Sequence, residues 1–289
     1  MPTETVIAKK ILHRDSDDLL LLTIGKFPLL SPKEIALHLK RSSVQLRVRL
    51  AQFEELGWLQ REEPTKERII IFKETAHQCP KCKETFHERH QWRSAQTRFA
   101  AYYWYLTPEG AKQVPYRVVA WERKGNTVDH DRGLTVFHMF LDMAFGDAIS
   151  VHQRRDNDMK QAVKVDGKVE RFYPDFRFDL NGYRFYVEYT HSDPSSKNGK
   201  NDIDRKMERY NELLQDDPKA KVIFLFPKQV DNDRPDVRSF LNRYAEKFPY
   251  RWCLATDLES IREFGPKAHI FWCPKDFNQR TYAFSDFAA

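Results

Sequence analysis

One short segment, residues 173–193, narrows the possible folds sharply because it has the pattern of a β-hairpin. Its sequence is YPDFRFDLNGYRFYVEYTHSD, and the Asn181-Gly182 pair is the preferred two-residue loop of a type I′ turn. Counting outward from that loop places Asp175 directly opposite Glu188 on the neighbouring strand. Facing residues on antiparallel strands share one face of the sheet, with Cβ atoms about 5 Å apart. The sequence therefore predicts two carboxylates in one small space.

These two carboxylates, Asp175 and Glu188, repel each other unless a cation, a proton or a basic side chain lies between them. Oxygen ligands of this kind usually bind magnesium or manganese, which predicts a catalytic Mg²⁺ or Mn²⁺ site. The alternative is neutralisation by an arginine such as Arg177 or Arg184. The other face of the hairpin is apolar, and we expect it to pack against helices through Phe176, Phe178, Phe185, Val187 and Tyr189.

Pro174-Asp175 and Glu188-x-Thr190, on consecutive strands, resemble the signature of the PD-(D/E)xK nuclease superfamily. That resemblance implies a restriction-endonuclease-like α/β domain that cleaves phosphodiester bonds with a divalent metal. The chain departs from the signature at Thr190, where these nucleases have a lysine that stabilises charge. We therefore look for another residue that supplies this positive charge.

A helix predicted over residues 202–215 offers a replacement lysine. Lys206 lies beside the apolar stripe of this helix and one turn before Tyr210, so the two side chains share a face. We expect Lys206 to replace the strand lysine, and Tyr210 to donate a hydrogen bond or to act as a nucleophile. An ordinary amphipathic helix with an exposed lysine is the alternative. The apolar stripe comprises Ile203, Met207, Tyr210 and Leu214.

The first third of the chain has the pattern of three helices followed by strands. Residues 15–30 are leucine-rich and are interrupted by a Phe-Pro pair, which predicts the end of the first helix. Ser31-Pro32-Lys33-Glu34 is a capping box that opens the second helix, and Ser42 or Ser43 caps the third. Strands are expected at residues 58–60, 68–72 and 102–106.

The third of these helices is the predicted DNA contact. The run RSSVQLRVRLAQFEELGWL, with YYWYLTPEGAK after it, resembles winged helix-turn-helix domains, in which the third helix enters the major groove. The alternative is a module that binds only protein. The resemblance implies contacts with double-stranded DNA from Arg41, Ser43, Gln45, Arg47 and Arg49.

Between the predicted wing strands lies CPKCKETFHERH, which has the spacing of a zinc knuckle. Zinc takes four nitrogen or sulfur ligands in a tetrahedron, and two cysteines two residues apart present two thiolates to one ion. An insertion this short, residues 74–97, needs the ion to fold, so a structural role is expected. The alternatives are a metal-free reduced loop, or a ligand supplied by His77, Cys253 or Cys273. The predicted zinc ligands are Cys79, Cys82, His87 and His90.

A winged helix followed by His130, Pro174-Asp175, Glu188 and Lys206-x3-Tyr210 is similar to the replication-relaxation family of mobile elements and the related MobC-type relaxases. The resemblance implies sequence-specific nicking or relaxation of plasmid-type DNA. A homodimer, or other proteins of the DNA-processing complex, are further expected partners. His130 would contact a phosphate or a water, or else cap a helix. The alternative function is a DNA-binding replication or transcription regulator with a degenerate nuclease-like domain.

Length, charge and cysteine content agree with a DNA-binding protein of two domains. The net charge of +6 favours an anionic partner, and four cysteines are too few for a disulfide framework. We expect a winged-helix domain over residues 1–118 and a restriction-endonuclease-like α/β domain over residues 119–289. No apolar run is long enough to span a bilayer and no signal-peptide pattern is present, so we expect a cytoplasmic protein.

Overall fold

The computed structural model shows a mixed α/β protein, as predicted, whose contacts divide it into two compact units, Met1–Val136 and Phe137–Ala289. It describes residues 15–62, 102–114, 118, 120–122, 128–153, 159–190, 202–214, 217–227, 237–245, 252–276 and 279–287. The predicted zinc ligands lie outside the described residues: Cys79, Cys82, His87 and His90. In the part of the chain that is described, no helix has the length and apolar character needed to cross a bilayer.

The first unit consists of helices and a small antiparallel sheet. Its helices are α1 (Asp15–Lys26), α2 (Pro32–Leu39), α3 (Ser43–Glu55), α4 (Pro108–Ala111) and the start of α5 (Val128–Phe145). Its strands β1 (Leu59–Glu62) and β2 (Tyr103–Leu106) pair with each other, and an isolated bridge joins Leu30 to Trp104.

The predicted capping box at the start of α2 is confirmed. The Ser31 N–H donates to Glu34 Oε2 at 2.8 Å, and the Glu34 N–H donates to Ser31 Oγ at 3.4 Å. Ser42 holds the N-cap position of α3 but makes no side-chain cap hydrogen bond. The apolar side of α3 is buried as expected, through Leu46, Leu50 and Phe53.

The boundary between the two units falls inside α5, at Val136, rather than near residue 118. Val128 packs with Leu29 and Tyr103 in one apolar cluster. Arg132 forms an ion pair with Glu34, with 2.8 Å between the guanidinium and the carboxylate. These contacts attach the first turns of α5 to the first unit.

The second unit contains a five-stranded mixed sheet, whose strands in spatial order are β3 (Ile149–Gln153), β6 (Phe176–Leu180), β7 (Tyr183–Tyr189), β8 (Ala220–Phe226) and β9 (Cys253–Asp257). The β3–β6 and β6–β7 pairs are antiparallel, whereas β7–β8 and β8–β9 are parallel. The helices are α6 (Asp202–Leu214), α7 (Val237–Tyr244) and α8 (Leu258–Phe264), and short 3₁₀ turns occupy Gly146–Ala148 and Phe284–Phe287.

The predicted hairpin is formed by β6 and β7 in the expected register, from Leu180 opposite Tyr183 to Phe176 opposite Val187. Its loop residues Asn181 and Gly182 have φ of 53° and 76°, as a type I′ turn requires. The apolar face is buried as expected: Phe178 stacks on Phe185, Phe137 and Phe284 make edge contacts with these rings, and Val187 is buried.

A second hairpin, β4 (Gln161–Val165) with β5 (Lys168–Phe172), lies in the chain between β3 and β6 and was not predicted. Its inward side chains join the core around α6. The predicted apolar stripe of α6 is buried in the same core, so that prediction is confirmed. The core contributors are Val163, Val165, Phe172, Ile203, Met207, Tyr210 and Leu214.

Candidate active site

Glu188, near the end of β7, is the centre of a buried polar cluster, with its side chain only 2% exposed. Tyr210 Oη donates to Glu188 Oε1 at 2.6 Å, and Lys206 Nζ lies 2.7 Å from Glu188 Oε2. Both partners come from α6, where a spacing of four residues puts them on one face of the helix. The helix therefore supplies one cation and one hydroxyl to a single carboxylate.

Asp175 lies immediately before β6, next to the last pair of the β6–β7 ladder. Its Oδ2 accepts a hydrogen bond of 3.0 Å from the Tyr189 N–H, which fixes the carboxylate beside the neighbouring strand. Burial and the charge of Asp175 together raise the pKa of Glu188 to about 7, against the opposing effects of Lys206 and of the hydrogen bond from Tyr210. The electrostatic repulsion expected between Asp175 and Glu188 is therefore a property of the folded chain.

Tyr210 is fully buried, and its ring lies in edge contact with Phe172. Burial and the neighbouring Glu188 raise the pKa of its phenol well above 10. A buried, protonated phenol cannot reach a phosphodiester as a nucleophile. The structure therefore gives Tyr210 the other role expected from the sequence, a hydrogen-bond donor that orients Glu188.

Thr190 holds the strand position where the nuclease signature has lysine, and it is buried. It shares the face of β7 that carries Glu188, because side chains two residues apart point to the same side of a strand. Its hydroxyl has no hydrogen-bond partner among the residues that the structure describes. A buried hydroxyl without a partner costs about 1–3 kcal/mol, so a bound water or ligand oxygen would stabilise it. In the sequence, Thr190 is notable only because it stands where the nuclease signature has a lysine.

The oxygen donors of Asp175, Glu188 and Thr190 fit a hard divalent cation. The described residues include no cluster of three or more acidic, histidine or cysteine side chains arranged to hold a metal ion. Magnesium is commonly bound by only one or two carboxylates, with water and substrate phosphate completing the shell. Two carboxylates therefore suffice for an ion that is shared with DNA.

The arginines named as alternative neutralising groups have another partner. Arg177 lies 3.7 Å and Arg184 lies 3.5 Å from the carboxylate of Asp179. His130 belongs to the first unit, where its Nδ1 lies 3.6 Å from Asp131 Oδ1. The candidate site in the second unit comprises Asp175, Glu188, Thr190, Lys206 and Tyr210.

The expected DNA contacts lie on α3 and in the turn before it, and they fall into two groups. Arg41, Gln45 and Arg47 are exposed, and Ser43 is half-buried. Arg49 instead binds Asp17 through two guanidinium nitrogens, one of them 2.9 Å from Oδ1, and stacks over Phe53. Arg49 therefore has a structural role, because it joins α3 to α1 through Asp17.

Two exposed valines on the same helix were missed by the sequence analysis. Val44 is 68% exposed and Val48 is 61% exposed, one turn apart among the polar residues. Apolar side chains at such positions can contact thymine methyl groups in a major groove.

No family model and no curated protein matches this chain. A solved structure, protein VC1899 from Vibrio cholerae, is similar over 88% of this chain and 56% of its own length, with a TM-score of 0.33 and 10% sequence identity. At that TM-score the likeness assigns neither a fold nor a function.

Proposed function

We propose that this protein binds double-stranded DNA and nicks or relaxes it with a divalent metal at Asp175, Glu188 and Lys206. One observation carries the proposal: Lys206 Nζ lies 2.7 Å from Glu188 Oε2, and a second carboxylate, Asp175, is held beside β7 by the Tyr189 N–H. Through this contact α6 supplies a lysine to Glu188, the carboxylate that the nuclease signature follows with a lysine two residues later on the same strand. The three-strand run β3, β6, β7 with α6 and the parallel strand β8 supports a restriction-endonuclease-like assignment.

The chemistry follows from the charges at the site. Magnesium or manganese, held by Asp175 and Glu188, would polarise the phosphodiester and lower the pKa of an attacking water. Lys206 stabilises the negative charge that develops on the phosphoryl oxygens. Tyr210 fixes the orientation of Glu188, and Thr190 offers its hydroxyl to a water or a DNA oxygen.

The first unit supports the DNA-binding half of the proposal. Three helices followed by a two-stranded antiparallel sheet, with a bridge from the α1–α2 connection to β2, have the element order of a winged helix. We propose α3 as the recognition helix, because Gln45, Arg47 and Val44 are exposed along it. The zinc knuckle at residues 74–97 remains part of this proposal, with one structural Zn²⁺ per insertion.

The biological setting that suits these activities is plasmid-type DNA of a mobile element in the cytoplasm. There the protein would act as a homodimer or with other DNA-processing proteins. The net charge of +6 supports an anionic partner.

A second function is favoured by the burial of Glu188. Its side chain is 2% exposed and both of its oxygens already have partners, Tyr210 and Lys206. With Glu188 buried and fully partnered, the second unit would have no catalytic role. The protein would then be a DNA-binding regulator in which the Glu188 cluster only stabilises the fold.

Nicking of supercoiled DNA separates these two functions. We expect the full chain to nick in magnesium or manganese but not in chelator, and Lys206→Ala to slow nicking by roughly 100-fold or more. Lys219→Ala, which changes an exposed lysine in the same unit, is the matched control and should nick like the wild type. Tight DNA binding without nicking in either metal would establish the regulator instead.

A further inference from the structure

The hairpin formed by β4 and β5 has an outward face that contributes nothing to the core. Its register places Lys164 opposite Val169 and Ala162 opposite Arg171, with all four side chains exposed. The inward face is buried separately, through residues such as Val163. We call the outward residues the basic hairpin face: Lys160, Ala162, Lys164, Val169, Arg171 and Tyr173.

The charge on this face is of one sign. Lys160, Lys164 and Arg171 are exposed, and within the described ranges none of them forms an ion pair. The carboxylate between them in sequence, Glu170, points inward and binds Arg205 and Arg209 on α6. Among the described residues 160–164 and 168–173, the outward side of the hairpin therefore carries three cations and no carboxylate.

Two large side chains accompany the cations. Val169 is 70% exposed and Tyr173 is 42% exposed. An exposed aromatic ring beside cations is the combination that binds nucleic acid strands, because the ring stacks on bases while the cations bind phosphates.

The hairpin leads directly into the candidate active site. Tyr173 stands two residues before Asp175, so their two Cα atoms can be no more than about 7 Å apart. A DNA strand bound along the basic hairpin face would therefore pass close to Asp175.

We propose that the basic hairpin face binds the DNA strand whose phosphodiester is presented to Asp175 and Glu188. Lys160, Lys164 and Arg171 contact backbone phosphates, and Tyr173 stacks on a base beside the scissile bond. This inference rests on the proposed function and adds a DNA contact in the second unit, separate from α3.

The test measures the binding of the full chain to a duplex of random sequence at salt concentrations from 50 to 200 mM, a range over which phosphate contacts dominate the change in affinity. Lys164→Gln with Arg171→Gln should reduce the slope of log K against log salt by about two units, because each phosphate contact contributes about 0.9. The matched control removes two exposed charges from the same unit through Lys219→Gln with Arg238→Gln, and should leave the slope unchanged.

Tyr173 provides an independent arm of the same experiment. Tyr173→Ala should weaken binding to a single-stranded oligonucleotide by roughly tenfold, whereas Tyr173→Phe keeps the ring and should bind like the wild type. The Tyr173 measurement still tests the inference if the protein with Lys164→Gln and Arg171→Gln does not fold.

Three results would overturn the inference. The slope of the hairpin variant could equal that of the wild type, the control pair could lower the slope equally, or Tyr173→Ala could bind without loss. In each case, DNA binding by the wild type would leave the proposed function intact. A wild-type chain that binds no DNA at any of these salt concentrations would overturn both.

Discussion

Two basic residues on helices, Arg49 in the first unit and Lys206 in the second, each bind a buried carboxylate, yet the surroundings of the two pairs differ. Asp17 receives two guanidinium nitrogens of Arg49, and this pair joins α3 to α1. Glu188 is bound by a single ammonium and is also acted on by a second carboxylate, Asp175, which helps to raise its pKa to about 7. The second carboxylate, Asp175, is what distinguishes the Glu188 pair from the Arg49 pair and marks it as a candidate site.

The largest difference between the two regions should appear in activity. Asp175→Asn removes one charge from the metal-binding pair, so nicking of supercoiled DNA should disappear while DNA binding is retained. Arg47→Ala, at an exposed residue of α3, should instead weaken DNA binding and leave the nicking rate at saturating protein unchanged. If Asp175→Asn and the wild type nicked DNA equally, the second unit would not be the region that carries the activity.

The second difference concerns stability. Arg49→Ala leaves Asp17 buried without this partner, and we expect a loss of about 3 kcal/mol in the free energy of unfolding. Lys206→Ala should cost less at pH 7, because Glu188 can take up a proton at a pKa already near neutrality. Denaturant unfolding of both variants in chelator measures the two losses. A larger loss for Lys206→Ala would show that the Glu188 cluster is mainly structural.

Much of the Glu188 site could be predicted from the sequence, because turn residues and helical periodicity determine the elements that carry it. The Asn181-Gly182 loop determined the register that brings Asp175 to Glu188, and the periodicity of α6 placed Lys206 and Tyr210 together. Such features depend on turns and helical spacing, which short stretches of sequence encode.

Other features depend on contacts between distant residues. The partner of Arg49 is 32 residues away, and periodicity alone cannot name it. The burial that excludes Tyr210 as a nucleophile requires β5 and β8 to pack against α6, which only the full fold provides. The β4–β5 hairpin did have a local signal, since Asp166-Gly167 between β-branched residues is typical of a hairpin turn.

A third prediction concerns pH. The folded chain holds the pKa of Glu188 at about 7 rather than at its ordinary 4.5, so its contribution to stability is fully present below about pH 4.5 and is lost as the pH rises to about 7. In chelator, the wild type should therefore lose stability relative to Glu188→Gln across that interval. Denaturation curves at several pH values check this, and a constant difference between the two proteins would contradict it.

The smallest expected effect belongs to Tyr210. Tyr210→Phe removes one buried hydrogen bond to Glu188 and should cost about 1–3 kcal/mol in the free energy of unfolding. Nicking should persist, because the phenol only positions the carboxylate. Complete loss of nicking by a stably folded Tyr210→Phe protein, with DNA left covalently attached to the wild type, would instead identify a tyrosyl mechanism.

The central claim is that Asp175 and Glu188 together hold a divalent ion beside Lys206. Calorimetric titration of the full chain with Mn²⁺ tests it directly. We predict about one ion bound per chain through these two carboxylates, no detectable binding to Asp175→Asn, and retained binding to Tyr210→Phe. Equal Mn²⁺ binding by Asp175→Asn and the wild type, or no Mn²⁺ binding by the wild type, would contradict the claim.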